Sequence, residues 1–248
     1  MTVHARPKAL SIFTAQGNQT SQEDYVLGRK EKGIFVVADG FGGSGPGAAA
    51  AKSACESVVG FLEKEAGDLE ATMPFVLRSY FSLAGNVLFN ALVHANRKAV
   101  ASNHKKNIHE RGGASVIAGF LDDGLMALAN VGGCTAWLFR NDQMTELVIP
   151  RSYARLCDPV SKDPGEGLNI PLAALGIGDD LEPEIVEFRV SAGDWLLLQS
   201  DGLNQEARDE LMEIRRQGLA AQDSVEKING VLKNRTFQEN ASASVVLF

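Results

Sequence analysis

Gly33-Ile34-Phe35-Val36-Val37-Ala38-Asp39-Gly40-Phe41-Gly42-Gly43 runs from a stretch of consecutive apolar residues into a carboxylate, which glycines follow at once. An uninterrupted apolar run rich in Val and Ile reads as a strand buried on both faces. A charge closing such a strand is costly unless something binds it. Glycines clear side chains from the strand mouth and permit positive φ, so that Asp39 and the Gly40 carbonyl face one shared space, a place for a cation. The competing reading is a plain Asp-Gly turn. Asp123-Gly124, between two apolar strands, is read that way.

Upstream, Ala9 to Phe13 reads as a strand, Gln16 to Gln22 as a polar loop, and Glu23 to Gly28 as a second strand that turns at Lys30 to Gly33 into the central one. Two acidic residues thus open one strand of a hairpin while Asp39 closes its neighbour, and antiparallel pairing lays those ends side by side. Downstream, Ala51, Ala54, Cys55, Val58 and Leu62 recur at helical spacing, with Gly67 as a stop. A second helix is expected from near Pro74, with Leu77, Phe81, Ala84, Leu88, Ala91 and Ala95 on one face. His94 and His104 fall near its end without ligand spacing and read as solvated or capping residues.

Strands follow at 114–121, 125–131, 135–139 and 144–149, joined by short Asp/Asn/Gly connections, the pattern of an antiparallel meander. The segment 151–184 is irregular and carries Pro159, Pro164, Pro171 and Pro183; a connection of that length is usually functional or mobile. Strands at 185–190 and 195–199 come next, the second ending in Ser200-Asp201-Gly202, which repeats the opening motif. Helices at 206–216 and 224–234 lead to Glu239-Asn240 and a last strand at 242–248.

At 248 residues and 45% hydrophobic content the chain has ample material for a sizeable core. A formal net charge of -7, with Lys105-Lys106 as the main basic cluster, argues against nucleic acid or an anionic membrane as partner. No segment approaches a membrane span and the N-terminal residues lack a signal-like apolar region, so a cytoplasmic location is expected. Cys55, Cys134 and Cys157 are far apart and odd in number, which fits reduced thiols and excludes a thiolate zinc site.

Glu23, Asp24, Asp39, Asp201 and Glu239 all flank strands. Carboxylate, carbonyl and water oxygens are the ligands of Mg²⁺ and Mn²⁺. A pair of such ions serves phosphate-ester hydrolysis, by activating water and neutralising phosphoryl oxygens. Gly40-Phe41-Gly42-Gly43-Ser44-Gly45 also matches G-x-G-x-x-G, the dinucleotide-binding pattern. That pattern requires a parallel strand after the helix, whereas here a second helix and an antiparallel meander follow, and Asp39 would repel a pyrophosphate.

The order of motifs resembles the metal-dependent type 2C Ser/Thr protein phosphatases, particularly compact bacterial members. The likeness runs through Gln22-Glu23-Asp24, Val37-Ala38-Asp39-Gly40-Phe41-Gly42-Gly43, Asn130-Val131-Gly132-Gly133, Leu172-Ala173-Ala174-Leu175-Gly176, Ala192 to Leu203, and Glu239-Asn240-Ala241-Ser242. The resemblance implies an α+β fold, a four-layer αββα sandwich of two antiparallel sheets flanked by helices, in a single domain over 1–248 with a flap region at about 151–184. It implies two Mn²⁺ or Mg²⁺ ions: Asp39 bridging both, the Gly40 carbonyl on one, Asp201 and Glu239 on the other, and Glu23 and Asp24 acting directly or through waters. The implied activity is hydrolysis of phosphoserine and phosphothreonine in proteins through a water activated by two metals, with a phosphorylated protein as partner and a Ser/Thr kinase opposing it.

The chain departs from the family at several points. Gln19 stands where the family has an Arg that grips phosphate, and an amide offers no charged bidentate fork. Gly132-Gly133-Cys134 replaces Gly-Asp-Ser, removing the Asp of a third, labile metal. Glu239 replaces an Asp, Gly112-Gly113-Ala114 replaces Gly-Thr-Thr, and Phe41 stands where some members have a His. No general acid is assigned. The alternative is a catalytically weak or inactive module on the same fold.

Overall fold

A computed structural model of the chain describes residues 5–43, 45–65, 77–157 and 170–248. Its strands are β1 (Ala9–Ala15), β2 (Asp24–Arg29), β3 (Ile34–Phe41), β4 (Gly113–Asp122), β5 (Leu125–Val131), β6 (Thr135–Arg140), β7 (Gln143–Val148), β8 (Glu184–Arg189), β9 (Trp195–Gln199) and β10 (Ala241–Leu247). They form two five-stranded sheets, ordered β1-β10-β9-β6-β7 and β2-β3-β4-β5-β8. All the pairings are antiparallel. The helices are α1 (Pro46–Glu65), α2 (Leu83–Asn103), the short α3 (Tyr153–Cys157), α4 (Gln205–Arg216) and α5 (Ala221–Lys233).

The central strand shows how one sequence feeds two apolar layers. Successive side chains of a strand point to opposite faces. Ile34, Val36 and Ala38 of β3 therefore pack with Ala51, Val58 and Leu62 of α1 and Leu88 and Leu92 of α2. Phe35 and Val37 point the other way, into the space between the sheets, where they meet Ile117, Leu196, Leu198 and Val246. A third layer joins the outer face of the first sheet to α4 and α5 through Leu197, Val245, Leu211, Ile228 and Leu232. The four-layer αββα order expected from the motifs is the order observed, and among the described residues the ladders include no parallel unit for a dinucleotide-binding motif.

One element starts later than its sequence suggests. The helix expected from near Pro74 begins at Leu83, because Ser82 accepts a hydrogen bond from the Gly85 N–H at 3.1 Å and caps the first turn. Asn86 holds the preceding turn closed, accepting from the Arg78 N–H at 2.6 Å and donating to the Arg78 carbonyl at 3.0 Å. Leu77 is consequently exposed rather than on a buried face. Pro74 and the expected stop at Gly67 lie outside the described residues. His104 takes the C-cap position of α2, and the His94 ring lies 5.3 Å from that of Phe61. Asp123 and Gly124 both have positive φ, +45° and +75°, as a two-residue hairpin turn requires.

Of the irregular stretch, 158–169 lies outside the described residues. Its two ends are tied down by bridges between Ser152 and Pro171 and between Ala114 and Leu175. No described helix is long and apolar enough to cross a membrane. Cys55 and Cys134 are buried free thiols and Cys157 is an exposed one.

Candidate metal centre

Strand pairing brings the acidic positions to one end of the sandwich. Asp24 of β2 lies directly opposite Asp39 of β3, which on its other side faces Ser115 of β4. In the other sheet, Gln199 of β9 pairs with Ala243 of β10, so Asp201 and Glu239 leave adjacent strand ends. A hydrogen bond joins the two sheets there, from the Ser200 hydroxyl to Asp24 Oδ2 at 2.8 Å. Ser200 is itself fixed by accepting from the Ser242 N–H at 2.9 Å.

Glu23, Asp39, Gly40, Asp201, Glu239, Asn240 and the Gln19–Ser21 loop line one cleft of about 290 Å³. Two glycines make its wall possible. A Cβ on Gly40 would stand 2.1 Å from the Gly47 carbonyl oxygen, and one on Gly47 would stand 2.2 Å from Glu23 Oε2. The strand end and the first turn of α1 therefore touch backbone to backbone, and the Glu23 carboxylate rests over a helix N-terminus, whose partial positive charge favours it. Ser21 donates to Glu23 Oε1 at 3.0 Å.

The charges are packed closely enough to disturb one another. Burial, followed by repulsion from Asp201 and Asp24, pushes the Asp39 carboxyl up to about 9. Asp201 is raised to about 6, by desolvation and then by Glu239 and Asp24; its side chain opens to the cleft, so solvent screens it more than Asp39. Asp24, only 6% exposed, is raised by burial against the hydrogen bonds it receives. Its Oδ1 is buried without a hydrogen-bond partner. Among the described residues, no Lys or Arg lines the cleft to offset these charges.

Among the described residues, no three His, Cys, Asp or Glu side chains are gathered into a ready-made cage for one ion. The cleft carboxylates are spread around a space rather than closed on a point. That spacing suits a hydrated hard cation, which keeps several waters and needs only one or two carboxylates and a carbonyl directly. The donor set, all oxygen, and the uncompensated charge fit Mg²⁺ or Mn²⁺. Asp24 differs from the other sequence-derived candidates: it does not line the cleft but is buried beside Asp39.

Gln19 stands at the cleft rim, its amide donating to the Gln238 carbonyl at 3.4 Å. Gly133 donates to the Ser115 hydroxyl at 3.0 Å, and a Cβ there would meet its nearest neighbours at 3.7 Å, so no steric reason excludes a side chain. Asn240 has a role that sequence reasoning missed. Its amide donates to the Gln16 carbonyl at 2.8 Å and the Ser21 carbonyl at 2.9 Å, and its oxygen accepts from the Glu23 N–H at 2.8 Å. It thereby pins the Gln16–Glu23 loop to the start of β10. Only its place beside Glu239 hinted at this.

Two five-stranded antiparallel sheets between helix layers are the fold of solved bacterial Ser/Thr phosphatases. The serine/threonine phosphatase PstP/Ppp of Mycobacterium tuberculosis superimposes with a TM-score of 0.78 at 18% identity, covering 97% of this chain and 98% of that one. Stp1 of Staphylococcus aureus gives a TM-score of 0.78 at 18% identity, covering 100% of this chain and 97% of its own. The PstP catalytic domain in complex with two manganese ions gives 0.74 at 19% identity, covering 97% and 98%. Identities this low establish a shared fold and nothing finer. No protein-family model matches the sequence, and no curated protein matches it either.

Proposed function

We propose that this protein is a divalent-metal-dependent phosphatase that hydrolyses phosphoserine and phosphothreonine in proteins, opposing a Ser/Thr kinase. The observation that carries this is the single cleft in which Glu23, Asp39, Asp201 and Glu239 meet beside the Gly40 carbonyl with, among the described residues, no Lys or Arg in the lining. Asp39, the Gly40 carbonyl, Asp201 and Glu239 would hold the ions, with Glu23 beside them in the same cleft. Bound divalent ions supply Lewis acidity, lowering the pKa of water and neutralising phosphoryl oxygens. Asp24 would act beside them: held by the Ser200 hydroxyl and in register opposite Asp39, it would help position the Asp39 carboxylate. Gln19 and the Ser21 region form the rim on the substrate side, offering neutral donors in place of a guanidinium.

The test is hydrolysis of p-nitrophenyl phosphate and of a phosphoserine peptide with added Mn²⁺. Turnover is expected to vanish with EDTA and with Asp39→Ala or Asp201→Ala, while Asp24→Asn lowers kcat more than it raises KM. Full activity in both alanine variants would refute the assignment. A second reading, a non-catalytic module on the same fold, is favoured by Gln19 and by Gly133. It is distinguished by a protein that binds Mn²⁺ and phosphopeptide in calorimetry without turning the peptide over.

A further inference from the structure

Behind the Gly40–Gly43 turn lies a second cavity, of about 260 Å³, bounded by Phe41, Val100, Ile108, Ile177, His104 and Arg111. We propose that this groove docks the part of a phosphoprotein substrate that flanks the phosphorylated residue, and that it selects an apolar side chain accompanied by an acidic one. The proposal rests on the phosphatase assignment above and names the substrate class of that same site.

The two cavities share one wall. Gly40 and Gly43 line the acidic cleft, whereas Phe41 and Gly42, between them in sequence, line the groove. An extended peptide advances roughly 3.3 to 3.6 Å per residue, so a chain crossing so thin a ridge would place a side chain about two to four positions from the phosphorylated one in the groove. The floor is apolar, and two of its residues are unusually open for their type: Ile108 is 73% exposed and Ile177 67%. Clustered exposed apolar surface next to a polar cleft marks a docking site.

The rim carries the opposite sign from the rest of the molecule. His104 and Arg111 line the groove, and in a chain of net charge -7 they bound a stretch in which His104, Lys105, Lys106, His109 and Arg111 fall within eight residues. Among the described residues no carboxylate pairs with Lys105, Lys106 or Arg111, and Glu110 is turned back onto the Asn107 N–H at 3.2 Å. An acidic side chain on the substrate complements this rim, and complementary charge directs partner choice. The groove is also built in advance. Asn103 donates to the Gly112 carbonyl at 2.7 Å and the Gly176 carbonyl at 2.9 Å, and Asn96 accepts from the Gly176 N–H at 2.9 Å. Both walls are thus clamped to α2, so docking spends little on ordering them.

The test compares Arg111→Glu and Ile108→Ser with the wild type, all with Mn²⁺, on three substrates: p-nitrophenyl phosphate, a phosphoserine peptide with Leu and Asp at its flank, and the same peptide with Lys in place of both. Each variant is first shown to melt with the wild type. Expected is unchanged turnover of the aryl phosphate, a fall of roughly five- to tenfold in kcat/KM for the Leu/Asp peptide carried by KM, and a gain for the Lys peptide in Arg111→Glu. Equal kcat/KM values for both peptides in all three proteins, or a loss on the aryl phosphate as large as on the peptide, would overturn the proposal. Fluorescence anisotropy of the labelled peptides separates the two assignments. If the wild type turns over nothing yet binds the Leu/Asp peptide more tightly than either variant does, the docking groove stands and the phosphatase assignment falls; equal binding by all three overturns the groove.

Discussion

Asp39 carries a heavy electrostatic burden, and its consequence is testable without any substrate. Its carboxyl titrates at about 9 in the folded chain against an ordinary 3.8, raised by burial and by Asp201 and Asp24. A raised folded pKa means that the native state holds the proton more tightly than the unfolded one. Its contribution to stability is therefore complete below the ordinary value and is lost as pH climbs through the folded one. The metal-free protein is expected to melt at steadily lower temperature from pH 5 to pH 9, and Mn²⁺ to restore the loss, increasingly so at the alkaline end. Thermal melts with EDTA and with Mn²⁺ across that range check this. Asp39→Asn should flatten the metal-free curve and raise it above the wild type at pH 8; a wild-type curve already flat would contradict the burial and repulsion described for Asp39. Much of this was legible in the sequence, because a carboxylate closing an apolar strand poses the question by itself. The buried support from Ser200 was not, since a serine beside an aspartate looks the same whether it faces solvent or another sheet.

Short segments hold these residues in place, and two of them answer to single substitutions. Asn240 ties the Gln16–Glu23 loop to β10 through three hydrogen bonds. Asn240→Ala is expected to cost about 2 kcal/mol, since the loop carbonyls and the Glu23 N–H lose their partner, and to weaken Mn²⁺ binding at the same time; denaturant melts and calorimetry read the two effects. At the other end of the sandwich Asp194, 2% exposed, receives both Arg140 Nε at 2.8 Å and Nη2 at 2.5 Å, together with the Ser191 N–H at 2.7 Å. Arg140→Ala leaves that buried carboxylate without its cation. A loss of about 3 kcal/mol is expected, at the lower end for such pairs because Arg140 itself keeps contact with solvent. Unchanged denaturant midpoints would contradict it. Strand ends were readable to within a residue or two because alternation and Asx-Gly turns coincide. The start of α2 was not, because Leu77 and Phe81 continue its helical spacing into a turn that Asn86 and Ser82 close by hydrogen bonds.

Across the whole molecule, three apolar layers set two sheets face to face and so bring strand ends about 200 residues apart in sequence to one rim. Motif order in the sequence anticipated that arrangement, since Glu23, Asp39, Asp201 and Glu239 each sit at a strand boundary. What it did not reveal is depth: Asp24 and Asp39 are neighbours in register, yet one is buried beside the cleft and the other lines it. The groove beside the cleft was equally hidden, because its floor is drawn from β3, α2 and two connections that no local pattern links. The central claim is that the carboxylates at this rim hold divalent ions. Crystals soaked in Mn²⁺ and measured at the manganese absorption edge test it directly. Expected are anomalous peaks in the cleft among Asp39, the Gly40 carbonyl, Asp201 and Glu239; a cleft without manganese, or manganese bound only elsewhere on the acidic surface, would contradict it.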